Sequence, residues 1–147
     1  MKGRVLSVRH TGLWVRDLEA SLYFYRALLG LEARSRTDES GSFLDEAMGT
    51  PGVRVTAVKL SAPEGGTLIE LLHSAGSSGG DGPGQGVPHA QFPHIAMAID
   101  DIDALSARLR DANVPFRPAA RLSPNGNIKV LFCADPDGTG LELVQNA

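Results

Sequence analysis

Four side chains of types that hold divalent ions recur at matched places in this sequence: His10 and His94, Glu70 and Glu142. The stretch His10-Thr11-Gly12-Leu13-Trp14-Val15-Arg16-Asp17-Leu18-Glu19-Ala20 is answered 84 residues later by His94-Ile95-Ala96-Met97-Ala98-Ile99-Asp100-Asp101-Ile102-Asp103-Ala104. Both read His, six residues, Asp, a branched aliphatic, an acid, Ala. Gly66-Thr67-Leu68-Ile69-Glu70-Leu71-Leu72 is answered in the same way by Gly138-Thr139-Gly140-Leu141-Glu142-Leu143-Val144. The chain is therefore two diverged copies of one module, each opening on a His and closing on a Glu. Two imidazoles and two carboxylates suit a borderline divalent ion such as Zn, Ni, Co, Mn or Fe, with water in the remaining positions.

Taken singly, none of the four requires a metal. A strand histidine is more often an ordinary hydrogen-bonded residue, and Glu70 and Glu142 could face water on an open sheet. Their neighbours argue otherwise. A carboxylate between Ile69 and Leu71, or between Leu141 and Leu143, is costly to bury unless it is paired or bound to an ion. The recurrence of both types at equivalent points favours a shared site. His73 and His89, at the ends of a Gly-rich stretch, read as solvated residues.

The elements that must position these groups follow from periodicity. Residues 5–15 read as a strand with His10, Gly12 and Trp14 on one face and Leu13 and Val15 on the other. Asp17 is a good N-cap for a helix through Leu18, Leu22, Tyr25 and Leu29 that stops at Gly30. This helix should cover the Leu13/Val15 face, leaving the His10 face open. Strands are expected at Leu31–Thr37, Val53–Leu60 and Thr67–Leu72, with a turn at Ala62–Gly65. Residues 38–52 are an insertion absent from the second copy, either a surface loop with a short helical turn or a pocket wall. The second copy repeats the order. It has a strand at Phe92–Ile99, with His94, Ala96 and Ala98 on one face, and a helix capped by Asp101 through Ile102, Leu105, Leu109 and Ala112. Asn113 stops that helix, and strands follow at Phe116–Ala120, Ile128–Cys133 and around Glu142, separated by turns at Ser123–Asn127 and Asp135–Gly138. Each module is thus β-α-β-β-β, an α+β arrangement. The boundaries are about 4–73 for module one, 74–90 for the linker and 91–147 for module two.

At 147 residues the chain has about one domain's length, so neither half-domain module should be stable alone. The net charge of −3, with both signs interspersed, gives no nucleic-acid surface. No apolar run approaches the roughly 20 residues of a membrane span. The start, Met1-Lys2-Gly3-Arg4-Val5, lacks the apolar stretch of a signal peptide. A single cysteine, Cys133, excludes an internal disulfide and fits a reducing cytoplasm. In its strand pattern it reads as a small buried apolar residue. The glycines between residues 76 and 86 lack the strand, helix and Lys-Ser/Thr of a phosphate loop and read as a flexible linker.

At these residues the chain resembles the vicinal oxygen chelate superfamily, the glyoxalase I, bleomycin-resistance and extradiol-dioxygenase group. The resemblance rests on His10 with Asp17-Leu18-Glu19-Ala20-Ser21-Leu22-Tyr23-Phe24-Tyr25, on Leu28-Leu29-Gly30-Leu31, on Glu70 and His94, and on Asp135-Pro136-Asp137-Gly138 before Glu142. It covers nearly the whole chain and implies a single domain whose tandem βαβββ modules form a curled mixed sheet around a metal cup. It also implies a homodimer. The Gly-rich linker permits a cup within one chain or one shared between two.

Members of the group differ in chemistry, and position-by-position comparison narrows the choice. Those resembling glyoxalase I carry His or Gln, Glu, His and Glu at the four metal positions, matched by His10, Glu70, His94 and Glu142. Methylmalonyl-CoA epimerases, similar in length, usually have Gln where this chain has Glu70. Extradiol dioxygenases use two His and one Glu, a triad that His10, His94 and Glu142 would supply and Glu70 would crowd. Drug-binding members of the bleomycin-resistance type use no metal, and Trp14 would line the pocket in either case. The segment Leu72-His73-Ser74-Ala75-Gly76 lacks the Asn and Trp of glyoxalase I relatives, so glutathione binding is not implied. The resemblance therefore implies a glyoxalase-like lyase, isomerase or epimerase working through a metal-stabilised enediolate or enolate. Glu142 is then the first choice of base and Glu70 its partner. An extradiol-type dioxygenase and a metal-free drug-binding protein are the alternatives.

Overall fold

A strand with one apolar side needs partners for its backbone and cover for that side, and each module meets both needs in the same way. The computed structural model describes residues 4–49, 51–74, 94–116 and 120–146. The chain divides into two compact units, Met1–Gly80 and Asp81–Ala147. The first contains β1 (His10–Trp14), α1 (Leu18–Leu22) running into a π-helix (Tyr23–Leu28), β2 (Glu32–Ser40), α2 (Ser42–Met48), β3 (Arg54–Ala62) and β4 (Gly65–His73). The second contains β5 (His94–Ala98), α3 (Ile102–Asp111), β6 (Arg121–Leu122), β7 (Ile128–Ala134) and β8 (Gly140–Asn146).

Both units form a four-stranded mixed sheet of one topology, β1-β4-β3-β2 and β5-β8-β7-β6. In each, the first strand runs parallel to the last and the other pairings are antiparallel. The expected α+β class and βαβββ modules are therefore present. No helix among the described residues is long and apolar enough to cross a membrane.

Register decides which side of each sheet is core. Leu71 pairs with Leu13 and Val58, and Leu143 pairs with Met97 and Leu131. Leu71, Val58, Leu143 and Leu131 are buried, together with Tyr25, Ile102 and Leu109 of the helices. α1 packs on β4, and α3 packs on β7 and β8. Asp17 and Asp101 cap α1 and α3 as expected, each Oδ1 accepting a backbone N–H 2.9 Å away, from Ala20 and Ala104. Asn113 stands at φ 57° just past α3, the left-handed stop read from the sequence.

Several expectations are corrected. The first strand begins at His10, not near residue 5; Arg4–Arg9 carry no regular structure, and Val5, Leu6 and Val8 are exposed. His10 pairs with Leu68, and just upstream on β4 the chain turns through Gly65 and Gly66 at positive φ, so no straight ladder remains for residues before His10. The helix after Asp17 is not α-helical throughout. Leu29 N–H donates to Phe24 O, an i→i−5 bond of 3.0 Å, and the wider turn brings Phe24 and Leu28 inward. Part of the insertion is strand: Asp38, Glu39 and Ser40 pair with Thr56, Val55 and Arg54, and α2 follows. Phe116 bridges Cys133, residues 117–119 of the strand expected at Phe116–Ala120 lie outside the described residues, and a short β6 follows at Arg121–Leu122. Residues 75–93, which include most of the expected linker and His89, lie outside the described residues.

Candidate metal centre

Each His–Glu pair is brought together by parallel pairing of the first and last strands. Glu70 lies opposite Gly12, two residues from His10 on the same face of β1; Glu142 lies opposite Ala96, two residues from His94. With no side chain at Gly12 and only a methyl at Ala96, the His and Glu side chains meet diagonally across that gap. His10 Nε2 is 2.9 Å from Glu70 Oε2, and His94 Nε2 is 3.0 Å from Glu142 Oε2. Two structures built from different residues thus repeat one geometry.

The surfaces around the pairs are alike in accessibility. β1 and β5 alternate in the same way, with His10, Gly12 and Trp14, or His94, Ala96 and Ala98, on the exposed side. Trp14 is half-exposed on the His10 face. In the second unit a cleft of about 390 Å³ lies at the ends of β5 and β8, lined in part by Ala96, Ala98 and Val144.

The carboxylates differ in their company. Glu70 is the more buried, its side chain 12% exposed against 25% for Glu142. Its Oε2 meets His10 and its Oε1 lies 3.9 Å from Lys59 Nζ. Among the described residues, Glu142 has one such partner, His94, and its Oε1 is free. Phe132 takes the place opposite Glu142 that Lys59 takes opposite Glu70, and its ring meets His94 edge-on with centroids 6.0 Å apart. The sequence reading missed Lys59 and Phe132. The signal that could have found them is their matched place on the third strand of each copy.

The donor chemistry fits a divalent ion. Each pair sets an imidazole nitrogen beside a carboxylate oxygen, at 2.9 and 3.0 Å, and these are the N and O donors that borderline divalent ions take. Without an ion the same distance is a His–Glu hydrogen bond. Each pair supplies two donors, and among the described residues no three or more His, Cys, Asp or Glu side chains gather at one point.

The remaining titratable candidates fall away from this chemistry. His73 Nδ1 lies 3.1 Å from Val15 O, a structural contact tying the end of β4 to β1. Cys133 is fully buried, and burial, with the nearby Asp135 carboxylate adding to it, pushes its thiol up to about 12. It is a core residue, not a nucleophile.

Comparison with known proteins agrees with this architecture. The chain is 31% identical to a lactoylglutathione lyase of Schizosaccharomyces pombe over 95% of its own length, spanning 47% of that protein. It is 30% identical to a probable lactoylglutathione lyase of Vibrio parahaemolyticus, covering 98% of this chain and 91% of that one. Among solved structures, a glyoxalase family protein from Bacillus cereus superposes with a TM-score of 0.83 over 99% of this chain and 97% of its own; at 16% identity the likeness is one of fold. The family model of the Glyoxalase/Bleomycin resistance protein/Dioxygenase superfamily matches residues 7–143, a span that takes in both His–Glu pairs, and the chain belongs to that superfamily.

Proposed function

We propose that His10, Glu70, His94 and Glu142 together hold one divalent ion, and that the chain is a metal-dependent enzyme of the glyoxalase-like lyase, isomerase or epimerase type. The observation that carries this reading is the duplicated His–Glu pair, at 2.9 and 3.0 Å, on the open face of each sheet. The relatives named lactoylglutathione lyase support a lyase acting on a small molecule. When bound, such an ion acts as a Lewis acid, stabilising the charge that develops on a substrate's neighbouring oxygens as a carbon-bound proton leaves.

The chain's own residues divide the remaining work. Glu142 is the base: it is the more exposed carboxylate, and its Oε1 has no other partner among the described residues. His94 Nε2 and Glu142 Oε2 would face the ion side by side, which leaves Oε1 as the basic oxygen. Glu70 is the partner that gives a proton of its own back to the carbon, and Glu142 passes the proton it took to solvent, so that the pair resets. Trp14 offers an apolar wall on the His10 face for the body of the substrate.

Glu142→Gln tests this division. The variant is expected to keep some of its metal, lose at least about a hundredfold in turnover, and stop exchanging the substrate's α-proton with deuterated water. An active protein that consumes oxygen without such exchange would instead be a dioxygenase, and one that binds ligand with neither behaviour a binding protein. A thermal-shift screen of thioesters, hemithioacetals and catechols identifies the substrate class, because a ligand that binds only the native state raises its melting temperature.

The same reading includes a homodimer in the cytoplasm. A single, buried cysteine suits that compartment. Sedimentation at micromolar concentration is expected to give twice the chain's mass; a monomer would exclude a cup shared between chains.

A further inference from the structure

The two modules match closely at their His–Glu pairs and part company on the next strand. Opposite Glu70 stands Lys59, and opposite Glu142 stands Phe132. A lysine here is not required by packing. Its side chain is 38% exposed on the open face, and its ammonium is 3.9 Å from Glu70 Oε1, beyond hydrogen-bond length. The ammonium therefore has donors to spare. Charge counting sharpens the point. Two carboxylates, Glu70 and Glu142, just neutralise a divalent ion, and Lys59 then leaves the site with an excess positive charge that an anionic ligand would balance.

We propose that Lys59 is a specificity residue that selects ligands carrying an oxyanion, a carboxylate being the simplest, beside the pair of oxygens that face the ion. This rests on the metal-site reading above and names the substrate class of that site. The Phe132 side offers no cation in the matching place, so the anionic group is held on the Glu70 side. A long, flexible ammonium suits this role because it can turn from Glu70 to a bound anion without moving the strand.

Two small chelators that differ by one carboxylate test the proposal on the zinc-loaded full-length protein. Acetohydroxamate presents two adjacent oxygens and no further charge; succinate monohydroxamate presents the same oxygens and a carboxylate. Calorimetry is expected to give roughly tenfold tighter binding of the carboxylate-bearing probe, with an advantage that shrinks as salt is raised. Lys59→Met should erase that advantage while leaving acetohydroxamate affinity and zinc content unchanged, and Lys59→Arg should keep most of it. If acetohydroxamate binds but the carboxylate gives no advantage, the proposal is overturned and the metal site stands. The proposal also fails if Lys59→Met weakens both probes alike or lowers zinc content, because Lys59 would then only balance Glu70. If the native protein retains no zinc and binds neither probe, both the metal-site reading and this one fall.

Discussion

Glu70 and Glu142 occupy one register position in two copies of a module, yet their surroundings differ, Lys59 standing opposite Glu70 and Phe132 opposite Glu142. The four candidate ligands were legible because a His and a Glu recur together, and a repeat multiplies the weight of residues that mean little singly. Lys59 and Phe132 were not. Eleven residues separate Lys59 from Glu70 but ten separate Phe132 from Glu142, and the difference coincides with a register shift between Leu60 and Ala62. The hairpins differ, Ala62 pairing with Gly65 and Ala134 with Gly140, so a reading of the sequence that counts straight strands misses the equivalence. Cys133 was read correctly as core, and its pKa gives a prediction. The unfolded chain ionises this thiol near its usual value of 9.0, whereas the native chain holds the proton to about 12. The stability this contributes is fully present below pH 9 and is lost as pH rises toward 12. At pH 8, iodoacetamide is expected to leave native Cys133 unmodified for hours and to label it promptly in urea; prompt labelling without denaturant would contradict its burial.

At the scale of elements, the caps and stops were the most legible features because they rest on local chemistry. Asp17, Asp101, Gly30 and Asn113 all stand where their side chains or backbone freedom are used. Asp101→Ala is expected to cost about 1 kcal/mol in urea denaturation, and Asp101→Asn to restore most of it. Gly30, at φ 79° with open space around its Cα, should tolerate Ala sterically and still lose about 1 kcal/mol to backbone strain. A loss well above that would mean that packing, not φ, fixes this position. What local chemistry could not tell was decided by neighbours. The Tyr23–Leu28 segment obeys helical spacing well enough to read as α, yet it forms a wider π turn with Phe24 and Leu28 buried. β2 extends through Asp38–Ser40 because β3 is long enough to pair with it. Val5, Leu6 and Val8 look like strand in isolation and lack a ladder to join.

For the whole molecule, the duplicated sequence yields two sheets of identical topology, each presenting one imidazole and one carboxylate at the same separation. The central claim is that these two half-sets serve one ion. Binding confined to the native state should then raise the melting temperature of the metal-free protein as divalent ion is added. The stoichiometry, and its dependence on each half, is the most direct test. Calorimetric titration of the metal-free chain with zinc, checked by elemental analysis, should give one ion per chain, and His10→Ala and His94→Ala should each abolish tight binding although the other pair is intact. Two ions per chain, with each substitution removing only one of them, would show independent half-sites; no bound ion at all, with ligand binding unchanged in both variants, would make this member of the superfamily a metal-free binding protein.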